Sequence, residues 1–151
     1  MKEYKSFAKE YYISVRENTE KFHKAKISQS KDAYEYIKQF YYDDIHVYES
    51  FFVLFCNRSN NVIGWIKLSQ GGISGTVADI KLIAKHAIES LSSAILLAHN
   101  HPSDNKIPSD ADKQLTKRTK EALNLFDIEV MDHIILTPDN GYYSFADEGM
   151  L

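Results

Sequence analysis

Two histidines and an aspartate are the residues whose types and spacing could do chemistry: His99, His101 and Asp112, within LLAHNHPSDNKIPSDAD at 96–112. The apolar run at 94–98 reads as a buried strand. If that strand continues to His101, side chains 99 and 101 point to one face and form a pair of imidazole ligands. The chain breaks at Pro102 and again at Pro108, and the pattern beyond predicts a helix entered at Ser109. Asp112 falls in its first turn, from where a carboxylate can swing back toward the histidines. Three such ligands leave a fourth tetrahedral position for water, as catalytic zinc requires. Two imidazoles with one carboxylate favour zinc over magnesium or calcium, which prefer oxygen shells.

Plainer readings stand beside this one. Ser109-x-x-Asp112 is also a capping-box pattern, and acids near helix N-termini are routine. The two roles are compatible, because a cap fixes the helix start from which Asp112 projects. Asp110 and Asp104 are rival third ligands. Asp110 and Asp112 stand roughly 200° apart around a helix, so both cannot face one metal.

The motif resembles that of the JAMM (MPN-plus, JAB-domain) metallopeptidases: His99-Asn100-His101-Pro102, then Ser109, then Asp112. The flanking text, LLAHNHPS before the loop and VMDHIILTPDNGYYSFADEG after the helix, is similar to the RadC-like bacterial branch, and the likeness runs from about Ser30 to the C-terminus. One departure is Asp104, where that branch usually has glycine. The resemblance implies a three-layer α/β/α MPN fold and one zinc per chain held by His99, His101 and Asp112. It also implies amide or isopeptide hydrolysis of a peptide or protein. In that family an acid ahead of an apolar strand supplies the general base, and Glu49 is the matching position. Ser109 takes the part of oxyanion stabiliser. Read locally, Glu49 could equally be a solvated strand end.

The remaining elements must position these groups. Ser30 is expected to cap a helix through about Tyr42, with Ala33, Ile37 and Phe40 or Tyr41 on one face. Strands are expected at 47–56, 62–69, 128–137 and 142–145, the last pair joined by an Asn140-Gly141 turn. Asp79 can cap a helix carrying Ile80, Ile83, Ala87 and Leu91 on one face. The helix from Ser109 to about Phe126 is expected to bury Leu115, Ala122 and Phe126. Its Lys113, Lys117, Arg118 and Lys120 read as a wet side. His133, mid-strand, is either a satisfied core histidine or a partner orienting a metal ligand. Strands alternating with helices and closing in a hairpin predict an α/β fold, a mixed and mostly antiparallel sheet flanked by helices. Residues 1–29 read as an N-terminal arm with a possible strand at 11–15, packing on a single domain at 30–151. The loops 71–76 and 102–107 are expected to flank a substrate cleft.

Bulk properties exclude several classes. At 151 residues the chain is one domain. The single cysteine, Cys56, rules out an internal disulfide and multi-cysteine zinc sites, and fits a reducing cytoplasm. The longest apolar runs are too short for a membrane span, and no hydrophobic leader is expected. A net charge of −3 provides no global field toward nucleic acid. The glycine loop at 71–76 lacks a P-loop lysine, and the Pro-Cys-x-x-Cys ligands of zinc deaminases are absent. Two rivals remain: a metal-binding MPN scaffold without chemistry, and a DNA-repair-associated RadC-like protein acting on or near nucleic acid.

Overall fold

The computed structural model describes residues 23–41, 43–71 and 77–151. The expected strand at 11–15 and most of the 71–76 loop lie outside the described residues. A five-stranded sheet runs in the order β2-β1-β3-β4-β5, from β1 (Ser50–Cys56), β2 (Val62–Gln70), β3 (Ala94–Asn100), β4 (Glu129–Leu136) and β5 (Tyr142–Ser144). Only β3 and β4 pair in parallel, and the other three pairings are antiparallel.

Every residue of β1 and β3 is buried. Such unbroken apolar runs suit strands covered on both faces. On one face Phe52, Leu54, Cys56, Leu96 and Ala98 pack against Ala33, Tyr36 and Ile37 of helix α1 (Ser30–Lys38). On the other, Phe51, Val53, Phe55, Ile95 and Leu97 meet Ile83 and Ala87 of α2 (Ile80–Glu89) and Leu123 of α3 (Asp110–Asn124). These are the three layers, helix, sheet and helices, that the resemblance implies. No helix among the described residues is long and apolar enough to cross a membrane.

Several local expectations shift. The N-cap of α1 is Gln29 rather than Ser30, because Asp32 Oδ2 accepts from the Ser28 and Gln29 backbone amides at 2.9 and 3.2 Å. The helix stops at Lys38, four residues early, and a short 3-10 turn follows at Asp43–His46. β1 begins at Ser50, so Glu49 sits just ahead of the strand, and Val47 and Tyr48 are exposed. Leu91 lies past the end of α2 at φ 53° and is exposed. In α3 the fully buried residues are Thr116, Thr119 and Leu123, with half-buried Leu115 packing on the same core as expected, while Phe126 lies beyond the helix end and is exposed. The stripe follows Asp112 by helical periodicity, so the turn that aims Asp112 inward also buries two threonines. Asn140-Gly141 does turn β4 into β5, with Gly141 at φ 80°.

Candidate metal centre

The β3-α3-β4 crossover builds the site. His99 follows Ile95 and Leu97 on the α3 side of the sheet, and its ring stacks on Phe51, with centroids 5.8 Å apart. β3 ends at Asn100, one residue short of His101, but the His101 N–H still donates to Leu136 C=O at 2.8 Å, which holds the parallel pairing with β4. The loop then delivers α3 with its N-terminus beside the two rings. Ser109 is the N-cap: the Asp112 N–H donates to Ser109 Oγ at 3.1 Å, and Asp112 Oδ2 accepts from Ser109 N–H and Oγ–H, both at 2.7 Å. The capping reading is therefore what the helix uses, and it anchors one carboxylate oxygen.

Both oxygens also approach the histidines. Asp112 Oδ1 lies 3.3 Å from His99 Nε2, Asp112 Oδ2 lies 3.5 Å from His101 Nε2, and the two Nε2 atoms are 3.0 Å apart. Tetrahedral nitrogens around zinc, at bond lengths of ~2.0–2.1 Å, are separated by about 3.3 Å. The three donors thus fit one ion with little movement, and the His99, His101, Asp112 cluster could hold a metal. Both rivals for the third position fall away. Asp110 is almost fully exposed and pairs with Lys113 at 3.6 Å. Asp104 Oδ1 accepts from the Asp139 and Asn140 amides, both at 3.0 Å, with its own backbone at φ 62°. That left-handed backbone explains why glycine suits this position. Here an aspartate takes it and ties the ligand loop to the β4–β5 turn.

Electrostatics agree with a cation site. Burial pushes the Asp112 carboxyl up, but its contacts with His101, His99 and Ser109 outweigh that and hold it far below the usual carboxylate range. Burial pulls the His101 ring down, whereas the Asp112 and Asn105 hydrogen bonds and the Asp112 and Glu49 charges lift it, for a net rise. Glu49 is half-buried. Antiparallel pairing ends with Phe51 opposite His99, and the charge of Glu49, two residues ahead of Phe51, reaches His101.

Sequence reasoning passed over two residues. Asn100, buried between the ligands, accepts from Ser50 N–H at 2.8 Å and donates to Ile45 and Tyr48 C=O at 2.9 and 2.8 Å, bracing the segment that carries Glu49. Thr116, one turn after Asp112, contacts His133. A polar residue four positions after a ligand was the available signal for Thr116. His133 is fully buried, and burial holds its ring well below the ordinary imidazole range, hence neutral.

Residues 27–150 match the family model of the RadC-like JAB domain, and the chain belongs to that family. It is 45% identical over 125 residues to a UPF0758 protein of Flavobacterium johnsoniae, covering 83% of this chain and 53% of that one. Identity to the UPF0758 protein of Porphyromonas gingivalis is also 45%, covering 83% and 54%. The UPF0758 protein YfjY of Escherichia coli is 42% identical over 103 residues, covering 68% and 64%. The chain spans about half the length of the first two relatives.

Proposed function

We propose that the protein is a zinc-dependent hydrolase of the JAMM type, cleaving a peptide or isopeptide bond in a peptide or protein substrate. The observation that carries this is the convergence of His99 Nε2, His101 Nε2 and Asp112 Oδ1 from a strand end and a helix start, at separations that suit one tetrahedral ion. Zinc held by these three ligands supplies an activated water near neutral pH and a polarised scissile carbonyl.

The chain's own groups do the rest. Glu49, whose charge reaches His101, takes the proton of the attacking water and gives it to the leaving amine, a role worth ~10²–10⁴ in rate. The Ser109 hydroxyl, which donates to Asp112 Oδ2 here, can rotate toward the developing oxyanion while its N–H keeps the cap closed. A bare scaffold has no need of an acid whose charge reaches a candidate ligand. A single buried cysteine suits a reducing compartment, and the cytoplasm is the setting we propose.

The test is zinc content of the purified protein combined with a peptide-library cleavage screen, with and without chelator. Stoichiometric zinc and chelator-sensitive cleavage are expected. Zinc-loaded protein that cleaves no peptide or isopeptide would leave the scaffold reading in its place.

A further inference from the structure

Behind His99 runs a line of donors and acceptors shut off from solvent. His99 Nδ1 lies 2.8 Å from His133 Nε2, and His133 Nδ1 lies 2.6 Å from Thr116 Oγ1. The Thr116 hydroxyl donates to the Asp112 backbone carbonyl at 2.6 Å. All three side chains are at most 1% exposed. The line therefore starts on the backbone of one candidate ligand and ends on the ring of another.

Counting hydrogens gives the line a direction. A hydroxyl has one hydrogen to give, and a carbonyl can only accept. With that hydrogen on Asp112 C=O, Thr116 Oγ1 can meet His133 Nδ1 only as an acceptor, so the His133 proton sits on Nδ1. His133 Nε2 is then a bare lone pair and accepts from His99 Nδ1–H. This leaves His99 Nε2 bare, at the atom that faces His101 and Asp112. Run in reverse, the same links would put the proton on His99 Nε2, and a protonated nitrogen cannot bind a metal. His101 has a shorter device of its own: its Nδ1–H donates to Asn105 C=O at 2.6 Å.

We propose that Thr116 and His133 are positioning residues that hold His99 in the tautomer with a bare Nε2. The inference rests on the metal reading above, and its test separates the two. Thr116→Val keeps the shape of the side chain and removes the acceptor. Thr116→Ser keeps the acceptor and removes a methyl group. Zinc affinity of the full chain, from competition with a chelator, is expected to fall about 10–100-fold in Thr116→Val and to stay close to wild type in Thr116→Ser. A packing role gives the opposite ranking, with serine the poorer replacement in the unfolding midpoint of the metal-free protein and zinc affinity unmoved.

Wild-type affinity in Thr116→Val, or an equal loss in Thr116→Ser, overturns the proposal. Should Thr116→Val fail to fold, His133→Gln and His133→Phe decide. Glutamine can accept from His99 and donate to Thr116, whereas phenylalanine keeps only the ring packing on Phe145. Glutamine is expected to retain zinc better, and equal affinities overturn the proposal. A wild-type chain that takes up no zinc sinks the metal reading itself. Zinc binding indifferent to these changes sinks the tautomer inference alone.

Discussion

The side chain of Asn100 holds the backbone of Ser50: the Ser50 N–H donates to Asn100 Oδ1 at 2.8 Å, across two strands that bring residues fifty apart together. Its amide nitrogen also donates to Ile45 and Tyr48, so one buried side chain secures the approach to β1. Asn100→Asp removes both donors and turns a fully buried group toward two carbonyls. We expect a loss on the order of 3 kcal/mol in unfolding free energy. A denaturant midpoint equal to wild type would show that the brace carries no weight.

Zinc should stabilise the folded protein through His99, His101 and Asp112. At a free concentration ~100 times the dissociation constant, binding raises stability by about 2.7 kcal/mol. The unfolding temperature of wild type should therefore climb with added zinc, while that of His99→Ala/His101→Ala stays flat. A double variant that still retains stoichiometric zinc would move the site elsewhere.

Glu49→Gln is expected to keep the metal and the fold while hydrolysis falls at least ~10²-fold, because the amide cannot take a proton. Rates are compared at equal zinc loading. Full turnover in a folded, zinc-loaded variant would remove Glu49 from the chemistry.

Thr119 offers a contrast with Thr116. Its hydroxyl is buried in α3, one turn further on, and has no hydrogen-bond partner among the described residues. Thr119→Val removes an unsatisfied polar group at constant shape and is expected to raise stability by ~1 kcal/mol. Chemical denaturation reads this directly, and a destabilised variant would mean that the hydroxyl does have a partner.

Cys56 lies in the core, where burial pushes its thiol up to about 11. The thiolate is the reactive form, so a disulfide reagent at pH 8 should label the denatured chain and spare the native one. The unfolded thiol loses its proton near 9, whereas the folded one keeps it to about 11. The unfolded state thus binds fewer protons in that window, and this contribution to stability is present below pH 9 and lost as pH rises. Rapid labelling under native conditions would contradict the burial.

Much of the site was legible in the chain alone because it rests on local periodicities. Two-residue spacing sets His99 and His101 on one strand face, and the three-residue capping box sets Asp112 over the start of α3. The apolar run at 94–98 signalled a buried strand, and Asn140-Gly141 signalled the hairpin. Helix bounds were less legible. Whether Ser30 or Gln29 caps α1 turned on where one carboxylate, that of Asp32, found its amides.

What only the tertiary structure decided is everything that joins residues far apart in sequence. The charge of Glu49 reaches His101 from ahead of β1, Asp104 holds amides thirty-five and thirty-six residues away, and His133 meets His99 because β4 returns parallel to β3. Those contacts depend on strand order and register, which no local pattern encodes. The same reason accounts for the inner face of α3. A threonine reads as a surface residue until packing puts it behind the ligands, where the hydroxyl of Thr116 has a hydrogen bond to make and that of Thr119 has none among the described residues.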